Sequence, residues 1–402
     1  MTAPSPPSGQ PGSSERPAWS GQPASSGRQR LRTGAPLAVL IGLSVLAAVL
    51  LLFEGAEHPV GLVVAVPLSA AAMAVVLAGY LWLDRWEPEP ARLLLLAFLW
   101  GASVAIVASL VLELATSEVL GHGLVLTVAG PAIEEAAKGA FLLVMLTGAR
   151  RREFDGVVDG LVYAGFAAVG FAFVEDIGYI AQSFGQGSGT TLATVLLRLV
   201  LAPFAHPLFT SMIGLGVGLL VERPGRSGNW LYPVAGYLAA VALHALWNGS
   251  LLFGLTGYLI VYLVIMVPAF GGAVLLARHH RRRERDVVNR QLPAMVFYRW
   301  ISPAEAGWLA SLAARRRWLR QVRQRSGAAG ARALHRFQQA ATELAFLRDR
   351  VERGVGPADA YVLHDELVWR LAAGRADAQA ALAENPRSAG LIRPAPPVWA
   401  RR

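Results

Sequence analysis

Residues 129–146 read AGPAIEEAAKGAFLLVML. The stretch has the length and character of a membrane helix except at its middle, where Glu134, Glu135 and Lys138 stand. Charged side chains at bilayer depth are costly and rare, and they mark ion pathways, proton relays or reactive sites. Glu134 and Lys138 are four residues apart and share one helical face, while Glu135 can pair with Lys138 at a spacing of three. Two carboxylates for one ammonium leave a charge uncompensated, which argues against an ion pair that serves only to bridge helices.

The rest of the chain supplies the membrane. Of its 402 residues 54% are hydrophobic, and the mean hydropathy is +0.44. That is more apolar than a soluble domain. There is no cysteine, which excludes disulfides, thiolate metal sites and a cysteine nucleophile. The net charge of +10 is nearly all arginine, because Lys138 is the sole lysine.

A membrane helix needs about 20 mostly apolar residues. Eight segments qualify: about 36–53, 59–83, 93–116, 123–147, 157–183, 190–221, 230–250 and 255–277. The sixth is long enough to break at Pro203 or Pro207. The connecting segments alternate in arginine content, from DRWEPEPAR (84–92), GARRREFDG (148–156) and ERPGRSGN (222–229) on one side to EGAEH (54–58) and FGQGSG (184–189) on the other. The positive-inside rule then puts both termini in the cytosol. The expected architecture is an all-α, multi-pass bundle of about eight membrane helices, followed by a small helical cytosolic domain.

Three domains are expected. Residues 1–34, rich in Pro, Ser and Gly, form a disordered cytosolic tail. Residues 35–277 form the membrane domain, whose first apolar run acts as an uncleaved anchor. Residues 278–402 form the cytosolic domain. There, SPAE (302–305) is a capping box with Pro at the first helical position. It opens a helix to about Val322, followed by helices over about 328–353 and from about Pro357. Trp308, Leu309, Leu312, Trp318 and Leu319 give it an apolar stripe. This domain reads as a self-packed bundle or a docking module at the inner leaflet, not as a nucleic-acid binder.

Further polar residues interrupt the spans: Glu175 and Asp176 in FAFVED (171–176), His206 in APFAHPLF, and His244 with Asn248 in HALWN (244–248). At about 1.5 Å rise per residue, Glu134 lies roughly 20 Å from the cytosolic end of its span, His244 roughly 21 Å and Glu175 roughly 27 Å. All fit one layer between the midplane and the outer surface. Taken singly, each histidine is also read as interhelical hydrogen-bonding glue, and Glu113 and Arg198 as interfacial anchors. Together they suit the activation of water, with a carboxylate as general base, or with a metal held by His and Glu.

EEAAK, FAFVED, the mid-span His206 and HALWN, in this order and each on its own span, resemble the motifs of the PrsW-type intramembrane proteases. These belong to the wider group of CAAX prenyl endopeptidases and bacteriocin-processing membrane proteins. DRWEPEP (84–90) also resembles a segment of that family, and the resemblance extends over about residues 80–277. It implies an intramembrane endopeptidase. Glu134 would be the general base and Glu135 its helper. Glu175, His206 and His244 would hold the attacking water or a metal, and Asn248 would support the oxyanion. It implies either zinc, held by Glu175, His206 and His244, or a metal-free glutamate mechanism. The implied substrates are single-pass membrane proteins such as anti-sigma factors, cut near the outer surface. Oligomeric state is not legible. The alternatives from the residues alone are a proton- or ion-coupled transporter, since Glu and His chains also relay protons, and a catalytically silent membrane scaffold.

Overall fold

Small residues set the architecture. The central helix, Val157–Ser183, carries GLVYAGFAAVG in its first half and is buried along most of its length. At Gly160 it crosses the helix Ala205–Glu222 at Gly214, so closely that a Cβ on either would overlap the other's carbonyl oxygen. In lipid, helices associate through such close backbone approach rather than through apolar burial. The start of the central helix is capped by Asp159, whose carboxylate accepts the backbone N–H groups of Asp155 (2.7 Å) and Gly156 (3.0 Å). Around it lie Pro59–Leu83, Ala91–Leu120 and the charged helix Gly130–Met145, while the helix Leu231–Ser250 packs on Ala205–Glu222 and Gly130–Met145.

The computed structural model describes residues 34–383, apart from 224 and 226, and every regular element among them is helical. The tail expected over 1–34 lies outside the described residues but for Gly34, as do residues 384–402.

The count of spans differs from the sequence expectation. Five helical stretches among the described residues, not eight, are long and apolar enough to cross a membrane. They are Pro59–Leu83, Ala91–Leu120, Val157–Gln186, Ser188–Glu222 and Leu231–Phe297. Three features account for the difference. The first segment is helical over Gly34–Gly55, and only its part Leu40–Leu52 enters this count. The fourth carries Glu134, Glu135 and Lys138 at its centre, so its composition falls below that of a span. The last two join in one helical run, interrupted at Gly254, where φ is +62°.

The long sixth segment does break where the proline requires it. Helix geometry is lost at Ala202 (φ −125°, ψ 37°), directly before Pro203, and a new helix starts at Ala205. His206 therefore sits in a first turn. Four π-helical turns, at Trp100–Ala105, Val125–Ala129, Leu196–Leu201 and Tyr262–Met266, have no counterpart in the sequence reading. Such turns insert one residue into a helix and often occur at functional sites. The second leads directly into the charged helix, and the third carries Arg198.

Beyond the membrane segments, Val267–Phe297 continues without a break past residue 277 into a second apolar core. The capping box forms as written: Ser302 Oγ accepts the Glu305 N–H (3.2 Å), and Glu305 Oε2 accepts the Ser302 N–H (2.6 Å). Its helix is shorter than expected, Pro303–Leu309. Ser311 caps a new one, Leu312–Glu352, which is kinked at Gly327 (φ 65°). Ala360–Ala383 packs against it. Trp318 is fully buried at the centre of this core. Trp86, from the loop after Pro59–Leu83, is part of it too.

Candidate active site

Four helical segments bring their polar residues to one buried place. On the charged helix, Lys138 Nζ lies 2.7 Å from Glu135 Oε1 and 3.3 Å from Glu134 Oε2. The same ammonium lies 3.2 Å from His206 Nδ1 and 4.1 Å from the centre of the Phe171 ring. His206 Nε2 lies 2.7 Å from Glu175 Oε2 on the central helix. His244 Nδ1 lies 3.0 Å from Glu135 Oε1, and its Nε2 lies 3.9 Å from Glu134 Oε2. The two imidazoles meet edge to face, with ring centres 5.0 Å apart, and Phe209 stacks on His244.

Donor and acceptor roles follow from this network. An ammonium only donates, so His206 Nδ1 accepts from Lys138 and its Nε2–H donates to Glu175. Glu135 takes Lys138, Thr210 Oγ1 (2.8 Å) and the Nδ1–H of His244. A carboxylate with three donors is held as the anion and fixed in place. His244 thus spends Nδ1 on Glu135 and turns Nε2 toward Glu134. Glu134 differs from its neighbour. Among the described residues no hydrogen bond reaches its Oε1, and its side chain keeps 11% of its exposure while that of Glu135 has none.

Outside this centre Arg198 closes the network. It reaches Glu175 Oε2 through one guanidinium nitrogen and Asp176 Oδ1 through Nε, each at 2.6 Å. Read from sequence as an interfacial anchor, Arg198 instead holds the carboxylate that orients His206. The signal available was its position as the one charged residue between Ser188 and His206 in an apolar stretch. Thr210, one helical turn after His206, was likewise missed as the partner of Glu135. Asn248 is not brought into the cluster. Its amide donates to the Leu126 carbonyl (3.0 Å), in the π-turn that precedes the charged helix.

The donor set can take a metal. Glu134, His206 and His244 are buried and offer one ligand atom each, all within 4.8 Å of one another. Two imidazoles and one carboxylate form a zinc-type set with room for a fourth ligand. This grouping contains Glu134 where the sequence reading had Glu175, which instead backs His206 as a carboxylate behind a ligand imidazole. Glu135 stands in the same relation to His244. Four carboxyl groups, Glu134, Glu135, Glu175 and Asp176, face two basic side chains here, Lys138 and Arg198. A metal at His206 Nδ1 would take over the lone pair that Lys138 now holds.

Comparison with known proteins agrees with this geometry. Residues 89–273 match the family model described as PrsW family intramembrane metalloprotease. Protease PrsW of Clostridioides difficile (strain 630) is 26% identical over 206 residues, 48% of this chain and 84% of that protein. Protease PrsW of Geobacillus kaustophilus (strain HTA426) is 27% identical over 192 residues, 46% and 78% of the two chains. That of Oceanobacillus iheyensis is 24% identical over 224 residues, 55% and 97%. No solved structure matches. The family match covers all the residues of the cluster and ends before the second core. Over residues 89–273 this chain is similar to the PrsW family of intramembrane metalloproteases.

Proposed function

We propose that this protein hydrolyses a peptide bond of single-pass membrane proteins, anti-sigma factors being the model substrate class, at a Glu/His centre within the bilayer. The observation that carries this reading is the convergence of Glu134, Glu135, His206 and His244, from three helices, in a buried cluster with one carboxylate oxygen unengaged.

The roles follow from the contacts. Glu134, through its free Oε1, takes a proton from the attacking water as the water oxygen bonds to the scissile carbonyl carbon. It returns that proton to the amine nitrogen as the carbon–nitrogen bond breaks. Glu135 is already saturated by three donors, so it positions rather than transfers protons. It holds Lys138 and His244 against the site. Lys138 limits the charge that the carboxylates leave in the apolar interior. Glu175, clamped by Arg198, fixes the ring of His206. With zinc bound instead, Glu134, His206 and His244 would hold it, and Glu134 would serve as ligand rather than as base. When bound, the metal would polarise the carbonyl and lower the pKa of water. The Asn248 amide, occupied by Leu126, supports the site through the π-turn.

The orientation belongs to the same proposal. The arginine-rich ends of the spans and both termini face the cytosol, with 1–34 a tail, 35–277 the protease domain and 278–402 a cytosolic domain. The test is to express the wild type and His244→Ala and label the new N-termini of membrane proteins. Cuts in or beside the apolar segment of single-pass proteins, present with the wild type alone, are expected. Cuts confined to soluble loops, or identical sets, would overturn the reading.

A further inference from the structure

A second polar feature lies far from the active site, where two spans end. The helix Val267–Phe297 leaves the membrane segment with Arg278, Arg281, Arg282 and Arg285, at the i, i+3, i+4, i+7 spacing of a single helical face. They line a cleft of about 370 Å³ whose other wall is Trp82 and Trp86, at the end of Pro59–Leu83 and just beyond it. Arg281 lies over the Trp82 ring at 3.9 Å, and buried Arg315 over the Trp86 ring at 4.7 Å.

The charge in this cleft is unbalanced. Among the described residues Arg278 and Arg282 make no hydrogen bond or ion pair, and Arg285 pairs with the adjacent, exposed Asp286 (2.9 Å). Arg85 and Arg316 oppose the charge of Arg281 and Glu284 favours it. Six guanidinium groups, those of Arg85, Arg278, Arg281, Arg282, Arg285 and Arg316, thus face two carboxylates, Glu284 and Asp286, and the excess positive charge is left to an external anion. Guanidinium forks match phosphate oxygens in geometry as well as charge.

The surroundings identify the source of the phosphate. Leu275, three residues before Arg278, and Leu81, directly before Trp82, are 66% and 48% exposed and give the cleft an apolar border on its membrane side. Tryptophan at the end of a span is the usual occupant of the headgroup level. Basic pockets between span ends bind anionic headgroups. We propose that this cleft is a binding site for the headgroup of an anionic phospholipid. Its arginines take the phosphate, and the apolar surface above them takes the chains. Free phosphate would use the arginines alone. The inference is independent of the protease reading.

The test uses the full chain, purified in detergent and examined by native mass spectrometry with phosphatidylglycerol or phosphatidylcholine added at equal concentration. Phosphatidylglycerol should be retained in preference, and millimolar inorganic phosphate should not displace it. Combined Arg278→Gln, Arg281→Gln and Arg282→Gln should weaken retention on the order of a hundredfold, at the usual contribution of a basic residue beside anionic lipid. The same charge change at Arg323, Arg332 and Arg336, which lie outside the cleft, should leave it unaltered. If the triple variant is not monodisperse, Arg282→Gln alone decides, with a loss of about fivefold expected. Equal retention by wild type and variant, or equal binding of the zwitterionic lipid, would overturn the site. Displacement by inorganic phosphate would overturn the lipid as its ligand.

Discussion

At the level of single residues, two adjacent glutamates have been given different work by their partners. Glu135 is wrapped by Lys138, Thr210 and His244, and Glu134 is left with a free oxygen. Thr210 is the most specific element of that difference. Thr210→Val removes the donor to Glu135 Oε2 at constant shape, and a hydrogen bond to a buried charge is worth roughly 1.5–3 kcal/mol. Thermal unfolding in detergent should show that loss and proteolysis should fall, while Thr210→Ser restores both. A Val variant as stable and active as the wild type would remove Thr210 from the network. At this scale the sequence was legible where polarity was out of place. Glu134, Lys138, His206 and His244 stand out because their neighbours are apolar. Thr210 does not, since a threonine in a membrane helix is ordinary. Arg198 looked like an anchor because its role depends on a break at Ala202 and a π-turn, which turn it toward Glu175. Neither feature has a periodic signature.

At the level of elements, helix contacts were not legible although helices were. The meeting of Gly160 with Gly214 joins segments far apart in sequence. Gly160→Leu should push the two helices apart, carry His206 away from Glu175 and lower both folded yield and cleavage. Overpacking of this kind typically costs 1–3 kcal/mol or more. Yield and activity equal to the wild type would show that the crossing is not tight. The loop 84–90 makes a separate prediction. Asp84 is buried, its Oδ2 accepts the Glu89 N–H (2.9 Å), and its Oδ1 has no partner. Burial pushes its carboxyl from 3.8 up to about 7, against the lowering effect of that hydrogen bond. A raised value means that the folded state keeps a proton the unfolded state releases. The stability this gives is full below the ordinary value and is lost as pH rises through about 7. The melting temperature should therefore fall between the ordinary 3.8 and about 7 and level off above that, and Asp84→Asn should flatten the slope. An unchanged slope in the variant would assign it to other groups.

For the whole molecule, the informative contact joins the two cores. Trp86 leaves the membrane segment and enters the apolar core of the C-terminal helices, in one cluster with Trp318 and under Arg315. Arg350 reaches back to Asp155, directly before the central helix. The sequence separated these regions by composition, and nothing in it pointed to Trp86 as a shared residue, because a tryptophan near a span end reads as an interfacial anchor. Trp86→Ala should cost the second core roughly 3–5 kcal/mol. Limited proteolysis should then open Pro303–Ala383 while the membrane segments stay protected, and equal resistance would mean that the loop merely touches this core.

The central claim is that Glu134 performs proton transfer in peptide hydrolysis. Its most direct test is to express the wild type and Glu134→Gln at matched membrane levels and compare fragments of single-pass proteins. The amide keeps the size and loses the base, so fragments should fall by about 100-fold or more at unchanged folded yield. Fragment patterns that are the same in both would contradict the claim.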